Sequence, residues 1–388
     1  MIKRLEVRNY KSLKDLDIEL GKRNVLVGPN MSGKTNFIDC LKFLTNMCIS
    51  GVIQAFLNRG GFPEVVWKGG GGGGESISFH LIIEQELDEN ASPKTFEYEI
   101  SIVGSQTGLI SIEREHLTVK KGNQVSTLID LRNGKGKITH ADGQIAFASE
   151  DPNRSALEFS VPGWEGMEFK YPISLWRYYH LSPAVFKQAN AAVSQQYLTE
   201  TGENFSSWFM TLQTNYPDEF NLIRQVAKDS LQGLEEILIP PTQFATTYMT
   251  TREKYLKRPV NIWHMSDGEL IFLAWLSLIF APASFGAPLF CIEELENHLH
   301  PRLLEILVEV VNQRQRELDP KTAQIVVTTH SPYLVDRINI EDLIVFEKSD
   351  GATKYTKPSS KAHLKELLER KELGLGELWY SGALENNS

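Results

Sequence analysis

The sequence predicts an α/β fold with a mixed or parallel core sheet, an antiparallel β meander lobe and a short helical lid. Three observations predict it. Residues 28–35, Gly-Pro-Asn-Met-Ser-Gly-Lys-Thr, spell G-x-x-x-x-G-K-[ST] between an apolar strand and an apolar-periodic helix. The last third alternates helix and strand through Ser266–Phe280, Leu289–Ile292, Pro301–Leu318 and Gln324–Thr328, which is the signature of a parallel sheet. Between them, from Ser76 to about Tyr179, the pattern turns to period two.

In chain order, Ile2–Val7 and Leu16–Leu20 form an edge hairpin joined around the turn Asn9-Tyr10-Lys11-Ser12. Arg23–Val27 is a short buried strand. Asn36–Leu44 repeats apolar residues at helical spacing, and that helix ends near Cys48 to Gly51. The glycine run Gly69–Gly74 is followed by neither Lys-Ser/Thr nor a helix, so it reads as a surface loop rather than a phosphate site. Alternating runs follow at Ile77–Ile83, Phe96–Ile102, Leu109–Arg114, Leu117–Lys120 and Ser126–Leu131, parted by turns such as Lys121-Gly122-Asn123 and Asn133-Gly134-Lys135-Gly136. They read as an antiparallel meander. From Ser182 to about Leu238 the helical period returns, with Phe205–Leu212 and Phe220–Leu231 amphipathic and no sustained heptads. The expected division is an N-terminal lobe over 1–181, a helical lid over 182–260 and a C-terminal lobe over 261–388.

A chain of 388 residues can bury a sizeable core. Its net charge of −9 argues against a globally basic nucleic-acid coat but leaves room for a local basic patch. Cys40, Cys48 and Cys291 have no metal or pairing spacing, as expected of buried thiols in a reducing cytoplasm. Met1–Val7 alternates as a strand does and is no signal core. The longest apolar stretch, Leu270 to Ala283, is too short for a bilayer and holds Ser277 and Pro282. A soluble, cytoplasmic protein with a buried helix there is expected.

The chemistry begins at the glycine loop. The loop through Gly28, Pro29, Asn30, Ser32 and Gly33, whose non-proline backbone N–H groups point inward, makes an anion site with the helix N-terminus at Asn36. In that geometry Lys34 reaches β/γ-phosphates and the Thr35 hydroxyl binds Mg²⁺. Pro288–Ile292 is an apolar strand ending in Glu293 and Glu294, where ligands sit in open parallel sheets. Glu293 would hold Mg²⁺, and Glu294 would deprotonate an attacking water. Glu296 could replace either. The next strand, Ile325–Thr329, ends at His330, placed to donate to a γ-phosphate and sense its loss. Ser266-Asp267-Gly268-Glu269 is a capping box at a helix start. The same serine, glycine and helix end also make a phosphate half-site with no lysine of its own, able to complete another molecule's pocket.

This order of motifs, with Cys291-Ile-Glu-Glu-Leu-Glu-Asn-His-Leu-His-Pro301 and Thr328-Thr-His-Ser-Pro332, resembles the ABC-type ATPases. It resembles more closely the RecF/OLD-like bacterial ATPases, relatives of the SMC heads. The opening from Ile2 to Thr35 and the lid segment Thr201–Phe205 through Pro217 fit that family's pattern too, and the resemblance covers essentially the whole chain. It implies a head-to-tail homodimer sandwiching two ATP molecules with Mg²⁺. Gly28–Thr35, Glu293, Glu294 and His330 would come from one subunit, Ser266 and Gly268 from the other. It also implies a Q-loop glutamine near the metal, for which Gln54 is a candidate. The chain departs from the pattern at Glu293, where most ABC enzymes carry aspartate, and at Met31, where a small residue is usual. About forty residues after Leu343–Phe346 are too few for the TOPRIM nuclease domain of OLD enzymes, so any nuclease is expected as a separate subunit.

The leading reading is therefore an ATP-hydrolysing dimeric switch that gates an effector subunit, a nuclease or toxin, in anti-phage defence or DNA repair. A DNA clamp whose slow ATPase times release is the alternative. It needs a basic groove, with candidates Lys120-Lys121, Arg252-Glu253-Lys254 and Lys257-Arg258. No membrane partner is expected, and a transporter subunit or small-molecule kinase fits less well.

Overall fold

The computed structural model describes residues 1–69, 76–85, 93–105, 107–240, 242, 244–281, 287–318, 323–360 and 374–381; the glycine run beyond Gly69 lies outside them. Strands β1 (Ile2–Tyr10), β2 (Leu13–Glu19) and β3 (Arg23–Val27) lead through the glycine loop into helices α1 (Lys34–Ser50), α2 (Val52–Leu57) and α3 (Phe62–Val65). The meander follows as β4 (Ser76–Gln85), β5 (Lys94–Gly104), β6 (Ile110–Lys121), β7 (Gln124–Arg132), β8 (Lys135–Thr139) and β9 (Ile145–Glu150). Next come α4 (Gly166–Ser174), β10 (Arg177–Tyr179), α5 (Pro183–Phe186), β11 (Asn190–Ala191), α6 (Phe205–Asn215) and α7 (Pro217–Ser230). Short strands β12 (Leu234–Leu238), β13 (Thr246–Thr247), β14 (Thr250–Glu253) and β15 (Val260–Asn261) precede α8 (Asp267–Ile279). The chain closes through β16 (Leu289–Ile292), α9 (Pro301–Leu318), β17 (Gln324–Thr328), α10 (Pro332–Val335), β18 (Leu343–Ser349), β19 (Ala352–Thr356) and α11 (Leu375–Tyr380).

Two sheets organise these elements. The core sheet has the order β10-β16-β17-β3-β18-β19 and is parallel except for its last pair. The other runs β2-β1-β4-β5-β6-β7-β8-β9 and is antiparallel throughout. The predicted edge hairpin and meander are thus one sheet, with β2 at its edge. Helix α1 is the filling between the two sheets. Its Phe43 meets Tyr10 and Phe79 of the antiparallel sheet at 5.5 and 5.4 Å, and its Phe37 meets Phe346 of the core sheet at 5.7 Å. A second cluster joins α6, α7 and α8, and it contains the apolar run, buried from Leu270 to Ser277. Among the described residues no helix is long and apolar enough to cross a membrane.

The meander differs from expectation in two places. The runs Leu109–Arg114 and Leu117–Lys120 are one strand, β6, because a bulge at Glu113 reverses the side-chain phase and buries a carboxylate, Glu115. Hydrogen bonds from the Tyr98 and Ser155 hydroxyls and the Ala156 N–H satisfy Glu115. The second difference is at Asn133-Gly134, which has positive φ at both residues and makes a two-residue hairpin turn. Lys135-Gly136 therefore opens β8 instead of belonging to the turn. The lid region is not purely helical either, since β12, β14 and β15 form a three-stranded sheet. Thr250-Thr251 and Ile237 suit such a pleated surface better than a helix.

On the antiparallel sheet His80 bridges Glu6 at 3.0 Å and Glu97 at 2.8 Å, next to the Arg4–Asp17 pair. Burial lowers its affinity for a proton, but the two carboxylate hydrogen bonds outweigh burial and raise its pKa above the ordinary 6.5. The folded state therefore favours the protonated ring. That stabilisation is complete below pH 6.5 and is lost as pH rises through the folded pKa. Thermal unfolding of His80→Gln should lack this dependence, the parent losing less than about 1 kcal/mol across the window because the site is partly solvated.

Candidate functional site

Strands β17, β3 and β18 run parallel, so their carboxyl ends and the loops that follow share one edge of the sheet. The glycine loop leaves β3 with left-handed φ at Gly28 (147°), Met31 (68°) and Gly33 (108°). Glycine is required twice for space as well. A Cβ at Gly28 would lie 2.1 Å from the Phe346 carbonyl oxygen, and one at Gly33 would lie 1.9 Å from Thr353 Oγ1. The β18–β19 hairpin therefore presses directly on the loop. Met31 is 81% exposed and stands at the rim of the cleft that the loop helps to line. Helix α1 starts with no side-chain cap and no acid in its first turn, which leaves its N–H groups for an anion.

Lys34 is buried and its ammonium spans its own loop. It donates to the carbonyls of Gly28 at 2.8 Å and Pro29 at 3.1 Å. Burial pushes its pKa down to about 8, against the opposing charges of Glu294 and Glu296. Facing it across a cleft of about 320 Å³ stand Glu293, Glu294, Thr328 and His330; Asn30, Ser32, Gly33, Thr35 and Asn36 line the near side. One chain thus brings together most of the residues singled out in the sequence, with Gly28 and Pro29 forming the limb of the loop behind Lys34.

The two acids differ in environment. Burial raises the Glu293 pKa, partly countered by nearby His180 and reinforced by Glu294. Its carboxylate has no ion pair or side-chain hydrogen bond among the described residues. Glu294 follows in a left-handed conformation (φ 52°), held by its N–H donating to the Thr328 carbonyl and hydroxyl at 3.0 and 3.1 Å. Its carboxylate accepts from the Asn297 amide. Glu296 is not on the cleft wall. Its Oε1 accepts the His330 N–H at 2.6 Å, while its buried Oε2 has no partner. It holds the His330 backbone. Burial first, then the Lys34 charge, lower the His330 pKa below 6.5. The imidazole is neutral at pH 7, with one N–H to donate.

Ser266 and Gly268 do not line this cleft. Ser266 caps α8, its Oγ accepting from the Glu269 N–H at 3.2 Å while Glu269 accepts the Ser266 N–H at 3.0 Å. Gly268 admits the His298 carbonyl, which would sit 2.8 Å from a Cβ there. Gln54 is also elsewhere: it lies on α2 and donates to Asn58 at 2.7 Å, so it is not a Q-loop residue at this cleft. The basic candidates are scattered. Lys120-Lys121 ends β6, Arg252 pairs with Glu236 at 3.1 Å, and Lys254, Lys257 and Arg258 sit at the β14–β15 turn of a different sheet.

Sequence reasoning missed a buttress under the loop. Thr353 Oγ1 donates to the Ser32 carbonyl at 2.9 Å and lies 2.7 Å from Ser12 Oγ, which in turn accepts from the Asn36 amide at 2.7 Å. Ser12 had a signal, the turn Asn9–Ser12. Thr353 had none, because only the fold-back of β19 brings it there. Lys348, also on the cleft wall, was missed for the same reason.

Over residues 23–336 the chain matches the family described as "AAA domain, putative AbiEii toxin, Type IV TA system". It is 20% identical to a protein named OLD nuclease from Thermus scotoductus, across 96% of this chain and 68% of that protein. Among solved structures it is similar to an SMC head bound to the C-terminal winged-helix domain of ScpA (TM-score 0.57, 15% identity, 92% of this chain and 97% of that one). It is also similar to an SMC head with an extended coiled coil bound to the C-terminal domain of ScpA, from Pyrococcus furiosus (TM-score 0.53, 14% identity, 95% and 99% covered). These likenesses establish the fold as that of an ABC-type ATPase head.

Proposed function

This chain belongs to that AAA-domain family, an ATPase lineage of the ABC class, and from that premise we propose that it binds and hydrolyses ATP as a dimeric switch. One observation carries the reading. Lys34, Glu294 and His330 meet in one cleft, whereas Ser266 and Gly268 of the same chain lie outside it. A phosphate half-site away from its own cleft fits a second subunit's nucleotide.

In this reading the loop N–H groups and the α1 N-terminus hold the phosphate chain, and Lys34 exchanges its two carbonyl partners for the β/γ-phosphates. The Thr35 hydroxyl and the half-buried Glu293 carboxylate, unpaired among the described residues, are oxygen donors suited to Mg²⁺, which would neutralise phosphate charge. Glu294 takes a proton from water as the water oxygen bonds to the γ-phosphorus, and the β–γ bridging oxygen leaves with ADP. Neutral His330 donates to a γ-phosphate oxygen and loses that bond when phosphate departs. Closure with ATP and reopening after hydrolysis would be read by an effector subunit, a nuclease or toxin, in defence or DNA repair.

The test is solution mass. Glu294→Gln should shift from monomer to dimer with Mg·ATP, and adding Ser266→Arg should abolish the shift. Losing the Ser266 cap costs only about 1 kcal/mol, so the double variant should remain folded. An unchanged mass with ATP would remove the main support for the sandwich.

A further inference from the structure

Lys348 stands on the cleft wall, exposed at the end of β18, without an assigned task. The strand order β16-β17-β3-β18 puts Glu293, Glu294 and His330 on one flank of the glycine loop and Lys348 on the other. Val345 pairs with Val27, the last residue of β3, so Lys348, three residues on, is level with the loop itself. Its direction follows from the pleat. Phe346 points at Phe37 of α1, and Lys348, two residues later, projects from the same face. That face leads to the α1 N-terminus. Among the described residues Lys348 makes no ion pair and no side-chain hydrogen bond.

Charge says why a cation is wanted there. Without Lys348 the cleft wall sets one lysine, Lys34, against Glu293 and Glu294, with Glu296 close enough to bear on Lys34. These charged side chains give a polyphosphate no net attraction beyond that of the loop N–H groups and the Mg²⁺ proposed above, so one more cation on the wall adds to its hold. A lysine at a strand end is more often solvated and idle. This one differs in being aimed by its strand at an anion site and in sharing that site's cavity.

We propose that Lys348 is a second cationic contact for the nucleotide's phosphate chain, gripping it from the flank opposite His330. The inference rests on the ATP reading above and adds to it a contact that no motif predicts. A charge-assisted bond to phosphate contributes enough to change affinity about tenfold or more on removal.

The experiment is Mg·ATP titration by calorimetry of the parent, Lys348→Ala, Lys348→Arg and Lys34→Ala, with thermal melts of each ligand-free protein. Lys348→Ala should bind about tenfold more weakly with an unchanged melt, and Lys348→Arg should recover most of the loss. Affinity of Lys348→Ala within twofold of the parent, while Lys34→Ala loses binding, would overturn this inference and leave the ATP reading standing. A loss that arginine does not recover would overturn the cationic role. A parent that binds no ATP would overturn both.

Discussion

Glu294→Gln should slow ATP hydrolysis about 10²–10⁴-fold while leaving ATP affinity nearly unchanged, since a general base contributes on that scale and acts only in the reaction step. The substitution keeps size and hydrogen-bonding capacity, so the Thr328 bonds that fix the left-handed Glu294 backbone survive. Glu293→Gln should behave differently. Its carboxylate is half-buried with no ion pair among the described residues, and burial already raises its pKa. Neutralising it should raise the Mg²⁺ concentration needed for half-maximal turnover. Single-turnover phosphate release across a Mg²⁺ series separates the two. If Glu293→Gln slows release more than Glu294→Gln at saturating Mg²⁺, the roles are reversed.

Gly33→Ala should destabilise the protein by about 3 kcal/mol and abolish nucleotide binding. The left-handed backbone costs a side chain about 1–2 kcal/mol, and overpacking adds about 1–3 kcal/mol. Here the collision is specific: the new methyl would occupy the place of Thr353 Oγ1, 1.9 Å away. That hydroxyl holds the Ser32 carbonyl, so relief by moving Thr353 releases the loop. A double-mutant cycle with Thr353→Ala checks the cause. Stability should return in part, because the clash goes and the backbone strain stays, while binding stays lost. If Gly33→Ala melts like the parent, Thr353 does not buttress the loop.

What was legible in the sequence followed from local pattern. The boundaries of β3, β16, α9 and β17 fell where apolar runs met turn residues, and the cleft residues on them were named from strand-end position. Hidden features were those set by partners distant in sequence. The bulge at Glu113 and the buried Glu115 broke the period-two pattern, because a carboxylate satisfied by Tyr98, Ser155 and Ala156 looks polar until those donors are seen. Gln54 was named by residue type alone and stands on the wrong helix. Thr353, which touches the loop, and Lys348, which shares its cleft, lie more than three hundred residues from it and carry no periodic or motif signal.

The hairpin that braces the glycine loop also sets a schedule. Strand β3 ends at Val27, but its two neighbours in the core sheet, β17 and β18, and the Thr353 prop are all made only from Gln324 onward. Until the ribosome has delivered them, the loop sits on a strand with no neighbours in its sheet, and nothing joins it to β16 and the two acids that follow it. Closing contacts of such long range is slow, so the nascent N-terminal portion must wait with its anion site unformed. Formation of the anion site is thereby deferred until β18 and β19 have been made.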